Sequence, residues 1–311
     1  MTLPNFVIIG AAKSGTTSLY KYLETHPQVF LSSRKEINFF CLEDEKPENI
    51  SKLFSLIKNP IVDIETYKSF FIDADPLKHK AIGEVSPGYL FSPEISSSNI
   101  KKYCPDIKII AILRNPISRA YSHFIYSQQI GRENNYNQNI IIDRKLPSNY
   151  VYFGHNQYFH RYLDHGFYYR NLSPYLKKFK SDQIKIYLFE ELCDSPLKLM
   201  QDLLSFLEVD PYFDLNSVNI KNNQSGIPRN KKIYQFFNKK NSGEKNLFFN
   251  FIPKQIKKST VQYVKNQMDK FLIKKAPPIS DDLKSSLIEV YREDILSLQQ
   301  LLQKDISHWL K

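Results

Sequence analysis

Apolar residues occur along this chain in two alternating patterns. Short uninterrupted runs lie at 5–9, 80–83, 107–113 and 184–189, each closed by a polar or turn-forming residue. Runs of that length without alternation suit strands buried on both faces. Between them, 17–24, 117–129 and 197–207 space their apolar residues as helices do. Buried strands alternating with helices predict an α/β fold of three layers, with a mainly parallel central sheet flanked by helices. Near the C-terminus, 281–303 carries Leu283, Leu287, Ile288, Ile295, Leu298 and Leu302 at helical spacing, which predicts a helix docked by one face. Residues 131–149 are rich in Asn, Asp and Arg and follow neither period, so they read as a surface excursion. A second irregular stretch, 216–230, contains Gly226 and Pro228. No repeat is visible, and residues 1–311 are expected to form a single domain with a substantial core.

Composition narrows the function classes. A net charge of +11 favours an anionic ligand. Lysines are dispersed, and no aromatic stacking platform accompanies them, which argues against nucleic acid as a partner. Cys41, Cys104 and Cys193 show no CxxC spacing, so neither a disulfide framework nor a zinc site is expected. The N-terminus lacks the basic and apolar regions of a signal peptide, and no stretch reaches the roughly 18 apolar residues of a membrane span. A soluble, cytoplasmic protein is expected, with room for a peripheral contact at a membrane face.

The most informative segment is Gly10-Ala-Ala-Lys-Ser-Gly-Thr-Thr-Ser-Leu19, between the first strand and the first helix. Loop amides backed by the positive end of a helix form an anion site, so the fold is expected to be of P-loop type. Gly10 and Gly15 have the nucleotide-binding spacing, yet Thr16 stands where that pattern has lysine, and the lysine comes earlier, at Lys13. A nucleoside-triphosphate enzyme also needs a carboxylate to hold its metal, commonly at a neighbouring strand end. Here the 107–113 strand runs instead into Arg114-Asn115-Pro116. Arginine there repels a divalent cation and attracts a second phosphate, so an anionic nucleotide held by protein cations, without a metal, is expected.

Taken with 35–40 (Lys-Glu-Ile-Asn-Phe-Phe), 83–89 (Gly-Glu-Val-Ser-Pro-Gly-Tyr) and 114–122 (Arg-Asn-Pro-Ile-Ser-Arg-Ala-Tyr-Ser), this loop resembles the sulfotransferase family that uses 3′-phosphoadenosine 5′-phosphosulfate (PAPS). The likeness is to bacterial members and to the Golgi heparan-sulfate type, and it extends through 166–168 and 184–196 to Trp309. The resemblance implies that Lys13, Ser14, Gly15, Thr16, Thr17 and Ser18 cradle the 5′-phosphosulfate while Arg114 and Ser122 bind the 3′-phosphate. It further brings Gly226 and Arg229 towards that phosphate and Tyr168 to the adenine. The product would be 3′,5′-adenosine bisphosphate (PAP).

For the chemistry, Lys13 is expected on the leaving-group side, and by resemblance Glu36 falls where heparan-type enzymes carry a catalytic glutamate. Apolar Ile37, Phe39 and Phe40 beside it would desolvate the carboxylate and make it a better base. Pairing of Glu36 with Lys35, Arg34 or Lys13 is the other reading. Glu84 closes an apolar strand and is expected to face the site, either pairing with Lys13 or Arg114 or taking part in catalysis. Val85 stands where heparan-type enzymes have a lysine, which counts against a heparan-like acceptor. None of the histidines sits in a matching motif, His123 being the nearest substitute for a base. The acceptor is open among glycan, lipid, peptide tyrosine and small metabolite. A P-loop small-molecule kinase and a non-catalytic polyanion-binding relative are the competing readings.

Overall fold

The computed structural model describes residues 3–43, 59–130, 133, 137–139, 141, 161–214, 226–228 and 273–311. Its first element is strand β1 (Phe6–Gly10), followed by helix α1 (Thr16–Glu24), β2 (Val29–Leu31), and the short helices α2 (Phe39–Leu42) and α3 (Ile64–Ser69). Next come β3 (Ala81–Val85), α4 (Gly88–Phe91), α5 (Pro93–Tyr103), β4 (Lys108–Leu113) and α6 (Pro116–Gln129). After a 3-10 turn at Asp164–Gly166 follow α7 (Tyr168–Lys178), β5 (Ile184–Leu188), α8 (Phe189–Asp194) and α9 (Pro196–Phe206). A small pair, β6 (Gly226–Pro228) and β7 (Ile273–Lys275), precedes the long helix α10 (Asp281–Leu302) and a final turn at Ser307–Leu310.

Five strands form one sheet in the order β2-β3-β1-β4-β5, with every pairing parallel. Because side chains alternate across a strand, β1 serves both faces at once. Phe6 and Ile8 join Ile110, Ile112 and Tyr187 under α1 and α9, where Leu19, Leu23, Met200, Leu203 and Leu204 close the layer. Val7 and Ile9 join Ile82, Ile109, Ala111 and Leu113 under α4, α5, α7 and α10. The predicted layers and four predicted strands are present, and the predicted helices begin or end within a residue or two of their expected limits.

Between β3 and β4 the chain crosses from one side of β1 to the other at sheet centre, so the strand order switches sides there. Open parallel sheets leave a crevice beyond the strand C-termini at such a point. The ends of β1, β3 and β4, at Gly10, Val85 and Leu113, carry the segments singled out above. Helix α10 covers the far layer by burying Leu283, Leu287, Tyr291, Ile295 and Leu298, with Trp309 wholly enclosed beneath the last turn. Most of the excursion at 131–149 and most of 216–230 lie outside the described residues.

Candidate active site

Between β1 and α1 the loop closes through Gly15, which caps the helix in a left-handed conformation at φ 99°. A Cβ there would lie 3.0 Å from the side chains of both Leu192 and Phe189, so glycine is needed for conformation and for space. Gly15 has no side chain to cap the first turn, and that turn contains no acidic residue. The amides and positive end of α1 are thereby presented to an external anion.

Cations converge on this loop from three segments. Lys13, itself left-handed at φ 69°, sets its ammonium 4.0 Å from the centre of the Tyr126 ring on α6. Its carbonyl accepts a hydrogen bond from Arg114 Nη1 at 3.3 Å. Arg114 leaves the end of β4, where its carbonyl takes the Tyr168 hydroxyl at 2.7 Å and its guanidinium lies 4.9 Å from the centre of the Phe189 ring. Lys35 donates from Nζ to Thr17 Oγ1 at 2.7 Å. Burial pushes the Lys13 ammonium down to about 8; repulsion from Arg114, Arg119 and Lys35 adds to this, and Glu36 opposes it. Burial likewise lowers Lys35, against the pull of Glu36, and lowers Arg114. Lys13 thus sits among like charges with one carboxylate acting in its favour, an imbalance that a bound phosphate or sulfate would relieve.

Local sequence explains the placement of Arg114. Asn115 caps α6 by accepting from the amides of Ile117 and Ser118, at 3.0 and 3.2 Å, and Pro116 occupies the first helical position. That fixes the helix immediately after Arg114 and carries Ser122 into its second turn, where it is buried. Within the loop, Ser14 and Thr16 are buried, Ser18 is half-buried and Thr17 is exposed. Gly226 opens β6, which pairs with β7 and packs on α6, the helix of Ser122. Arg229 lies outside the described residues.

Tyr168 is wholly buried, its ring edge-on to Trp309 with centroids 6.1 Å apart, and its hydroxyl braces the Arg114 carbonyl. Two expectations are corrected. Glu84 is wholly buried too and pairs with neither Lys13 nor Arg114; hydroxyls of Tyr67, Ser86 and Tyr89 surround it. Glu36 is exposed, because Ile37, Phe39 and Phe40 turn into the core and leave its carboxylate in solvent. Its charge nevertheless acts on both Lys13 and Lys35. Val85 is enclosed in the core, with its carbonyl accepting the Glu36 amide at 3.1 Å. His123 is buried against the rings of Tyr162 and His165.

Sequence reasoning missed the ring supports Tyr126 and Phe189 and the Lys35–Thr17 contact. Phe189 is the last residue of the run 184–189 predicted as a strand in a parallel sheet, so its position at the strand ends was a usable signal. Tyr126 and Lys35 had none, since the first depends on the rotation of α6 and the second on a turn between unlike elements.

A family model for the sulfotransferase domain matches residues 3–276. The chain belongs to the sulfotransferase domain family. Among curated relatives of this sulfotransferase domain, the membrane-associated sulfotransferase kil1 of Dictyostelium discoideum is 35% identical over 130 residues, covering 42% of this chain and 24% of that protein. The bifunctional heparan sulfate N-deacetylase/N-sulfotransferase 4 of Mus musculus is 26% identical over 231 residues, covering 72% of this chain and again 24% of that protein. The chain therefore spans about a quarter of the length of these relatives. A sulfotransferase from Alicyclobacillus acidocaldarius has the same fold over 100% of both chains, with a TM-score of 0.68 at 24% identity.

Proposed function

We propose that this domain transfers the sulfuryl group of PAPS to a hydroxyl or amine of an acceptor, in line and without a metal, releasing PAP. The observation that carries this reading is the cluster of Lys13, Lys35 and Arg114 at the N-terminus of α1, where a nucleotide kinase would need a metal-holding carboxylate. Loop residues Lys13 to Ser18 take the 5′-phosphosulfate, and Arg114, Ser122 and the strand opening at Gly226 face the 3′-phosphate, with Arg229 following in sequence.

As the acceptor oxygen or nitrogen attacks sulfur, Glu36 removes its proton, and the bond from sulfur to the bridging phosphate oxygen breaks. Lys13 neutralises the charge that develops on that oxygen. Because Glu36 is exposed, its effectiveness rests on position beside the loop rather than on desolvation. Positioning and fixed charge supply most of such a barrier reduction. Val85 leaves the acceptor side without the lysine of heparan-type enzymes, which directs the choice of acceptor towards a less anionic glycan, a lipid or a small metabolite.

Thermal unfolding with PAP, compared with ATP plus Mg²⁺, tests the reading. At about 100 times its dissociation constant a ligand stabilises by ~2.7 kcal/mol, a rise of several degrees in this chain. A rise with PAP alone supports a sulfuryl donor site. A rise only with ATP and Mg²⁺ overturns it in favour of a kinase, and no rise with either points to a relative that has lost the donor site.

A further inference from the structure

Glu84 is a buried acidic group that the proposed mechanism leaves unused. It is wholly buried at the end of β3, and among the described residues no ion pair reaches it. Three hydroxyls donate to its carboxylate instead: Tyr67 and Tyr89 to Oε1 at 2.8 and 2.6 Å, and Ser86 to Oε2 at 2.6 Å. Each hydroxyl has a single proton, so one committed to Glu84 leaves only lone pairs for other contacts. Two of the three meet backbone amides with those lone pairs. Ser86 Oγ accepts from the Asn38 amide at 3.1 Å, and Tyr89 Oη accepts from the Phe40 amide at 3.4 Å.

Those amides belong to the segment that presents Glu36. Glu36 and Asn38 both adopt left-handed conformations, at φ 57° and 58°, which non-glycine residues hold only when the surroundings fix them. Further ties are the Glu36 amide on the Val85 carbonyl at 3.1 Å, Asn38 Nδ2 on the Glu36 carbonyl at 3.0 Å, and Asn99 Nδ2 of α5 on the Phe40 carbonyl at 3.0 Å. Gly88 leaves room for this turn, since a Cβ there would come within 2.6 Å of Asn38 Oδ1. Segment 36–40 is thus held along its length by the end of β3 and the start of α4.

We propose that Glu84 is a positioning residue for sulfuryl transfer: its carboxylate fixes the Ser86 and Tyr89 hydroxyls as acceptors for the Asn38 and Phe40 amides, and so holds Glu36 beside the phosphate loop. This rests on the reading of Glu36 as the base. A glutamine at 84 would turn one acceptor into a donor and set an N–H against one side of the hydroxyl pair. Tyr67 is the internal control: its hydroxyl shares the carboxylate but meets no amide of 36–40 among the described hydrogen bonds, and phenylalanine at 67 would keep the ring that stacks on Phe39 at 4.5 Å.

The test uses the full chain and follows PAP release from PAPS with water as acceptor, PAP affinity, and amide hydrogen exchange at Asn38 and Phe40. Ser86→Ala and Tyr89→Phe are expected to lower turnover roughly 10- to 100-fold with PAP affinity unchanged. Exchange at the matching amide should quicken roughly tenfold. Tyr67→Phe should lower the melting temperature yet leave turnover and both amides as in the wild type. Glu84→Gln, where it folds, should combine the Ser86 and Tyr89 effects. If Tyr67→Phe slows turnover as much as the other two, or exchange at Asn38 and Phe40 stays unchanged, Glu84 is only a buried structural group and the proposal fails. Repeating Ser86→Ala in a Glu36→Gln background separates the two readings. Added loss there shows that Ser86 does not act through Glu36, whereas unaltered turnover in Glu36→Gln alone rejects the base and leaves the exchange data to decide the role of Glu84 in ordering the segment.

Discussion

If Lys13 carries the donor's charge, PAP binding must weaken with pH in a range set by the crowding of its ammonium. Burial and the neighbouring cations hold that ammonium down to about 8 in the free protein. A phosphate beside it restores the preference for the charged form, so the bound state holds a proton that the free state loses above pH 8. The sign follows directly: affinity is flat below pH 7 to 8 and falls as pH rises through the free-state value. Between pH 7 and pH 9 the charged fraction drops from about nine-tenths to one-tenth, so the dissociation constant should rise about tenfold, or ~1.4 kcal/mol.

Isothermal titration of PAP at pH 7, 8 and 9 reads this slope, with Lys13→Met as the control that keeps the apolar stem over Tyr126 and removes the titrating group. The variant should bind weakly at every pH and lose the slope. A wild-type affinity that is constant from pH 7 to 9, or a slope that persists in Lys13→Met, would refute the argument that Lys13 is the ligand's partner and a crowded cation.

Three further outcomes follow from the same geometry. Glu36→Gln keeps the shape of the side chain and removes its basicity, so turnover should fall by roughly 10² to 10⁴ while PAP affinity is retained, and unchanged turnover would reject it as the base. Trp309→Ala empties the wholly buried site behind Tyr168 and should cost about 3–5 kcal/mol in urea unfolding, with weaker PAP binding as Arg114 loses its brace. Full stability would remove the C-terminal turn from the support of the site. Adding EDTA should leave transfer intact, because cations rather than a metal-holding carboxylate flank the loop; loss of activity on chelation would revive a metal-dependent reaction.

Much of the fold was legible because its central strands are buried on both faces. Residues 107–113 and 184–189 contain few polar residues, and such runs are accommodated in a sheet covered by helices on both faces. The loop at 10–19 was legible for a related reason, since its glycine serves backbone conformation directly. By contrast β2 spans only Val29–Leu31, too short for any period, and α5 and α7 carry mixed faces with Pro174 inside the latter. Helix α7 holds through tertiary contacts: Asp294 of α10 accepts the amides of Tyr169 and Arg170, both at 3.0 Å, and so caps it from a distant part of the chain. A cap supplied from over a hundred residues away leaves no trace in the helix's own sequence.

The site shows a sharper division between what sequence can and cannot carry. Motif position found Lys13, Glu36 and Arg114, yet the environment of each carboxylate was misjudged: Glu84 turned out buried and Glu36 exposed, the reverse of the expected arrangement. Glu84 lies within β3, whose residues are all buried, so it is enclosed whichever face it takes. For Glu36 the cause is backbone conformation, since an extended 35–40 segment would have given the expected face. Instead Lys13, Glu36 and Asn38 all adopt left-handed conformations, and each reverses the direction in which its neighbours point. Three of the six non-glycine residues with positive φ among the described residues cluster at these strand ends, and the Ser86 and Tyr89 hydroxyls, oriented by Glu84, hold the 36–40 turn. Side-chain direction at this site is therefore a property of two segments meeting. The same argument explains why substitutions at 84–89 should affect a carboxylate at 36 that none of those side chains touches in the hydrogen bonds described.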